Sequence, residues 1–299
     1  MRKKIHTVLQ MAFYNFRLWK GNVRVITTFI LAFILCFFLT DKLIMFAEEN
    51  HTTLQITEAF IWTFGDSNSI LLASILLLLL FADLPFLTTA VPFFLFRGSR
   101  VQWVIGQILY IGMATFLYLA FIFFSTCMLS MRLSYVKNSW SKTAATLAYS
   151  GGGKEMKLPV EKKILEMSRP CETVITIFFL LLLYALVMMF IMLFLHIWKG
   201  RLVALAGTFL FCIYGVLLNP ENIQKILNLP EAFYYKARVG LGWISPLNHA
   251  TYSMHNFGYD KLPVIGESFA IFLGELIILT ILTIKKMKYY NFEFKGTEN

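Results

Sequence analysis

The sequence predicts an all-α integral membrane protein with six transmembrane helices. Two observations carry that reading. The first is composition: of 299 residues, 58% are hydrophobic, 16% aromatic and 15% charged, and the mean hydropathy is +0.67, where soluble domains carry roughly 25% charged residues. Thirty phenylalanines against 17 acidic residues suit a surface that faces lipid tails rather than water. The second is that apolar runs of spanning length alternate with short turns that are basic on one side. No stretch between these runs has room for a soluble domain of about 100 residues.

The formal charge of +10 does not point to nucleic acid. The basic residues sit at the edges of the apolar runs, which is the positive-inside signal, with attraction to anionic lipid headgroups as a secondary effect.

Residues 1–22 open with Arg2, Lys3 and Lys4 and then place Ile5, Val8, Leu9, Ala12, Phe13, Phe16 and Trp19 at spacings of three and four. That is one apolar helix face. His6, Gln10, Asn15, Arg17 and Lys20 fill the other face, so the segment is expected to lie in the membrane interface. It lacks the cleavage site of a signal peptide. The first span is expected over Val25–Phe46, with Asp41 and Lys42 at the outer interface, and its following loop holds Glu48, Glu49, Glu58 and Asp66, which places it outside.

The next apolar run, Ile70 to Phe96, is longer than the roughly 20 residues needed to cross a bilayer. Pro85 and Pro92 interrupt its backbone hydrogen bonding. The expectation is a span over Ser69–Thr88 followed by a separate short element over residues 89–102, Thr89 to Arg100 at its heart. A third span covers Val101–Met131. Residues 131–172 form a polar outer loop, with a flexible turn at Ser150-Gly151-Gly152-Gly153 and a short amphipathic helix over Lys157–Met167. The fourth span, Thr173–Trp198, ends in the turn Trp198-Lys199-Gly200-Arg201 and returns as the fifth, Leu202–Leu218. Residues 219–263 mix interfacial aromatics with glycines and are expected as short outer helices that dip into the membrane and return. The sixth span, Val264–Ile284, stops at Lys285, Lys286 and Lys288. Basic residues divide almost evenly between the two sides. The inner ones are packed into roughly half the length, and long loops weigh less in the rule, so both termini are expected in the cytoplasm.

Candidate chemistry is sparse. Gly151-Gly152-Gly153-Lys154 lacks the first glycine and the Ser or Thr of a phosphate-binding loop, so no nucleotide site is expected on this chain. Three carboxylates fall in or near spans, where a charge must face protein or water or be neutralised. Asp83, two residues before Pro85, is expected to satisfy backbone groups freed by the kink, and Glu267 to sit at the outer interface. Glu275, deep in the sixth span beside Gly274, either carries protons or a cation or makes one interhelical hydrogen bond. His249 and His255 are six apart, which is not a metal pair. Glu48, Glu49 and His51 lie outside the bilayer and do not make an intramembrane protease. No catalytic, metal or cofactor-binding set is expected. Cys36, Cys127 and Cys212 read as small hydrophobes; a Cys127–Cys171 disulfide at neighbouring outer ends is conceivable but sequence cannot supply its geometry.

The order of parts resembles a known family. An amphipathic lead, six spans, a hydrophobic and basic element between spans two and three, and outer helices before the last span are similar to the permease subunit of an ABC-2 type (type V exporter) ABC transporter. Phe96-Arg97-Gly98-Ser99-Arg100-Val101-Gln102-Trp103 through Tyr110 resembles the turn into span three in permeases of Gram-positive bacteria, and Ile244-Ser245-Pro246-Leu247-Asn248-His249-Ala250 is similar to their motif before the last span. The resemblance implies a bacterial cell-membrane protein that pairs with a second permease chain, identical or homologous, spans two and five lining the path. It implies a separate ABC ATPase subunit that carries ATP and Mg and docks on Phe93, Phe94, Phe96, Arg97, Gly98 and Arg100. The chain itself would not be an enzyme. Its apolar walls suit a lipid-like, peptide or drug substrate. The 131–172 loop departs from the family by its length. An ion-coupled secondary transporter using Glu275 and Asp83, or a membrane sensor or scaffold, are the alternatives.

Overall fold

The computed structural model describes residues 2–85, 90–155, 158–218, 224, 230 and 233–292. Almost all of it is helical. Four helices are long and apolar enough to cross a membrane: α2 (Val23–Glu49), α6 (Arg100–Ser130), α10 (Pro170–Lys199) and the last helix, α14 (Ile265–Met287). A fifth crossing arises if α3 (Glu58–Phe64) and α4 (Ser67–Leu80), bent by 87° at their junction, act as one. The protein is thus all-α and of membrane type. The expected fifth span, α11 (Arg201–Leu217), is a shorter apolar helix.

Each boundary has a local cause. Asn22 caps α2 by accepting from the Arg24 N–H, and Asp66 caps α4 by accepting from Asn68. These side-chain oxygens replace carbonyls that the first turn of a helix lacks. Gly200 closes α10 at φ +94°, a backbone region costly to residues with a Cβ, which permits α11 to return antiparallel within one residue.

The core gathers around α10, which buries Ile177, Leu180, Leu181, Tyr184, Met188, Met192 and Leu193 and touches α3, α4, α6, α11 and α14. Facing outward, α2 exposes Ile26, Ile30, Phe37 and Phe38, and α14 exposes Leu273, Ile277, Ile278 and Ile281. Side chains of this kind in contiguous bands would form a large apolar patch in water; they match a lipid-facing belt.

The two ends of the bundle differ, and we call them the basal and cap faces. The basal face carries α1 (Arg2–Arg17), the short helix α5 (Val91–Arg97), the α10–α11 turn and the end of α14. The cap face is a folded layer where a polar loop was expected. It holds β1 (Leu54–Gln55), α3, a 3-10 turn, β2 (Ser134–Tyr135), α7 (Lys142–Ser150), α8 (Gly152–Glu155) and α9 (Lys162–Met167). Leu54 and Gln55 pair in parallel with Ser134 and Tyr135, and the Trp62 and Trp140 rings lie 5.1 Å apart. Gly151, at φ +80°, makes the turn between α7 and α8, and Gly152 and Gly153 open α8 with Gly153 buried. The expected helix over Lys157–Met167 begins at Lys162. Of residues 219–263, most of 219–232 lies outside the described residues, and the remainder holds α12 (Tyr234–Ile244), α13 (Pro246–Ala250) and a 3-10 turn over Tyr252–Met254.

Candidate functional site

The basal face concentrates the residues that the sequence singles out. Pro92 occupies the first turn of α5, where its missing N–H costs nothing. Gly98 ends the helix, and Ser99 starts α6 with a reciprocal capping box: Ser99 Oγ accepts from the Gln102 N–H at 3.2 Å while Gln102 Oε1 accepts from the Ser99 N–H at 2.9 Å. The box fixes the direction in which α6 leaves the turn. The expected break between a short element and span three is therefore present, at Gly98–Ser99 within the expected 89–102. The start of the element at Thr89 lies outside the described residues.

On α5 the aromatic residues divide. Phe94 packs edge-on against Tyr14 of α1 with ring centroids 5.3 Å apart. Phe93 and Phe96 are 71% and 94% exposed. Arg97 closes the helix; its side chain lies outside the described residues. Arg100 donates to the carbonyls of Lys288 and Tyr290 at 2.9 and 3.1 Å, and its guanidinium stands 5.9 Å over the Phe292 ring. Through Nη1, Arg100 thus holds the chain's own carboxyl-terminal segment while staying exposed. Leu95, Gly98, Ser99, Arg100, Asn291 and Phe292 line a cleft of about 700 Å³ beside α5.

Helix α1 holds this turn from beneath. Asn15 Nδ2 donates to Gln107 Oε1 at 3.0 Å in a buried contact, and Trp19 Nε1 donates to Tyr110 Oη at 2.8 Å. A Cβ at Gly106 would fall 2.9 Å from Met11 Cβ, so the glycine sets how near α1 approaches α6. The amphipathic lead expected at residues 1–22 thus buries Met11, Ala12 and Asn15 against α6 and leaves Ile5, Leu9 and Phe13 exposed.

Asp83 does not act as expected. Past the end of α4, its two carboxylate oxygens meet two arginines: Arg24, at the start of α2, and Arg201, at the start of α11, the latter at 2.8 Å. It is about one-third exposed, so it belongs to the edge of the bundle rather than its interior, and it ties three helices together. The Arg24 guanidinium holds its carboxyl below the usual carboxylate range, with Arg201 adding to the effect. Glu275 is half-buried, and its Oε2 is enclosed with no hydrogen-bond partner among the described residues. Glu267 sits at the start of α14, accepting from the Val264 N–H at 2.8 Å.

Comparison with protein-family models, with curated proteins and with solved structures returns no match to this chain. The functional reading therefore rests on the residues themselves.

Two features escaped the sequence. Glu58, expected in a solvated loop, is fully buried on the cap face and accepts from the Ser141 N–H at 2.7 Å, the Ser141 hydroxyl at 2.5 Å and the Gln55 N–H at 3.3 Å. His249 and His255, set aside as a metal pair, converge on one buried hydroxyl, Ser268. No group of three potential metal ligands occurs among the described residues. All four cysteines are free, and the conceivable Cys127–Cys171 bridge is absent.

Proposed function

We propose that this chain is the membrane-spanning permease subunit of an ATP-binding cassette exporter, with six spans, the basal face in the cytoplasm, and a partner ATPase docking on α5. The observation that carries the reading is the pairing of exposure with rigidity. Phe93 and Phe96 protrude from a two-turn helix, whose Phe94 is seated on Tyr14 of α1, while α1 is itself hydrogen-bonded to α6 through Gln107 and Tyr110. Exposed aromatic side chains that lose little conformational entropy on burial are the usual anchors of a protein interface. A push on α5 would be delivered through the Gly98 turn to the start of α6.

In this reading, closure of two ATPase subunits around ATP and Mg moves α5 and the basal ends of α4 and α6. The Asp83 pairs with Arg24 and Arg201 would hold the basal ends of α2, α4 and α11 together until that movement breaks them. The transport path would lie between this chain and a second permease, along α4 and α11, and carry a lipid-like, peptide or drug substrate across a bacterial cell membrane. No covalent chemistry is required of this chain. The test is reconstitution with an ATPase encoded beside it. Phe93→Ala/Phe96→Ala is expected to abolish substrate-stimulated ATP hydrolysis while the permease stays folded; full stimulation in the double variant would end the proposal.

The enclosed Oε2 of Glu275, without a partner among the described residues, favours a second reading, an ion-coupled carrier. Asp83 fits that role poorly because its charge is already compensated by two arginines. Transport that survives ATP depletion and disappears in Glu275→Gln would select this reading over the first.

A further inference from the structure

On the cap face, His249 of α13, His255 just after the 3-10 turn, and Ser268 in the first turn of α14 form a buried cluster, with exposures of 2%, 0% and 0%. Their hydrogen bonds can be assigned by elimination, because a carbonyl only accepts. His249 Nε2 lies 3.0 Å from the Trp243 carbonyl and so carries a proton. His255 Nδ1 lies 3.1 and 3.2 Å from the carbonyls of Thr251 and Tyr252 and also carries one. In the neutral rings the remaining nitrogens, His249 Nδ1 and His255 Nε2, are then bare acceptors. Both face Ser268 Oγ, at 2.8 and 2.9 Å.

A serine hydroxyl has a single proton to donate. With both imidazoles neutral, one bare nitrogen receives it and the other confronts an oxygen lone pair inside the protein, where an unmade hydrogen bond is costly. Adding one proton completes the set: the imidazolium N–H donates to Ser268 Oγ, and the hydroxyl donates to the opposite ring. A second proton would leave the hydroxyl hydrogen without an acceptor and place two cations side by side.

We infer that His249, Ser268 and His255 form a single-proton site at the cap end of the bundle, in which His249 takes up the proton and passes its hydrogen bond through Ser268 to a neutral His255. The surrounding charges choose the ring. Glu267, at the start of α14, favours a cation on His249. Lys163 of α9, which donates to the Ser253 carbonyl, opposes one on His255. Among the described residues no charged group from α4, α10, α11 or α12 acts on either ring. Burial pushes both rings below the ordinary histidine value, His255 to about 4, so the proton enters on acidification. The site requires no transport reading; it makes the packing of residues 245–255 against α14 responsive to the acidity on that side of the membrane.

The test uses the full chain in lipid nanodiscs with nitrogen-15 labelled histidine. Five histidines in the chain keep the ring spectrum assignable. Between about pH 8 and about pH 4.5, a window that brackets ordinary histidine titration, His249 is expected to become an imidazolium while His255 keeps its neutral Nδ1–H tautomer. Ser268→Ala removes the acceptor for the added N–H and is expected to lower the His249 midpoint by about one pH unit, a tenfold loss of proton affinity. His249→Asn supplies an amide N–H to Ser268 without charge, so it should fold as the parent does and lose this titration. Simultaneous protonation of both rings, no protonation by about pH 4.5, an unchanged midpoint in folded Ser268→Ala, or a surviving titration in His249→Asn would each overturn the assignment.

Discussion

The basal and cap faces are built from the same kind of chain but are held by different forces. On the cap face, buried polar groups are matched by short, oriented hydrogen bonds: Glu58 with Ser141 and Gln55, Thr143 Oγ1 with the Thr53 carbonyl at 2.9 Å, Trp140 with the Ser168 carbonyl at 2.8 Å. On the basal face, neutral bonds hold α1 to α6, but the ties among the ends of α2, α4, α11 and α14 are charged and partly solvated: Asp83 between Arg24 and Arg201, about one-third to one-half exposed, and Arg100 reaching the end of α14. Buried networks are costly to break because each orphaned group pays its desolvation, whereas exposed ion pairs are individually weak and screened by salt. The difference is what the proposed coupling needs, a cap that resists opening and a base whose ties can be broken.

The comparison is broken most severely at Glu58. Replacing it by alanine orphans the Ser141 N–H and hydroxyl and leaves a cavity, for an expected loss of about 3 kcal/mol, measured as a lower Tm and as faster hydrogen exchange over residues 131–168. Exchange at α5 and α1 should hardly change, because sites without shared partners act independently. Next comes Gly106→Val. Its branched side chain has to displace Met11, and overpacking of this kind costs about 1–3 kcal/mol; freeing of α1, detected by proteolysis ahead of Val23, is the expected readout.

These two positions also show what sequence reading reaches and where it stops. The long helices were legible because apolar runs are local in sequence: Val25–Phe46 and Val101–Met131 differ from α2 and α6 by a few residues at each end. The break at Gly98 was legible because Arg97 and Arg100 flank a glycine between two apolar segments. Six spans were not reproduced as six membrane-length helices, since α11 is short and α4 joins α3 at a sharp bend. The cap layer was invisible for a different reason. Glu58 and Ser141 are 83 positions apart, and nothing in a polar loop announces which carboxylate will be buried. Asp83 was placed next to its proline for local reasons, but its partners come from the starts of two distant helices, 59 positions away in the case of Arg24. Arg100 likewise finds its acceptor 188 positions on.

A gentler probe of the base is Asp83→Asn, which removes both ion pairs. Solvent reaches all three side chains, so the expected loss is under about 1 kcal/mol. Its pH dependence has a defined sign. Because the folded carboxyl sits below its ordinary value, the stabilisation is fully present above the usual carboxylate range and is lost as the pH falls through the folded value. The parent and Asp83→Asn should therefore converge in stability in acid and separate toward neutrality, and added salt should narrow the gap at neutral pH.

The smallest effect on stability is expected at the residues on which the functional proposal turns. Phe93 and Phe96 are already exposed, so truncating both should change Tm by less than the equivalent of about 0.5 kcal/mol. The decisive measurement is substrate-stimulated ATP hydrolysis by the chain reconstituted with the proposed partner ATPase, comparing the parent with Phe93→Ala/Phe96→Ala at equal folded protein. The account predicts that stimulation falls at least about tenfold, as when a central aromatic anchor is lost from an interface. Undiminished stimulation in the double variant, or an active permease that binds no ATPase, would contradict it.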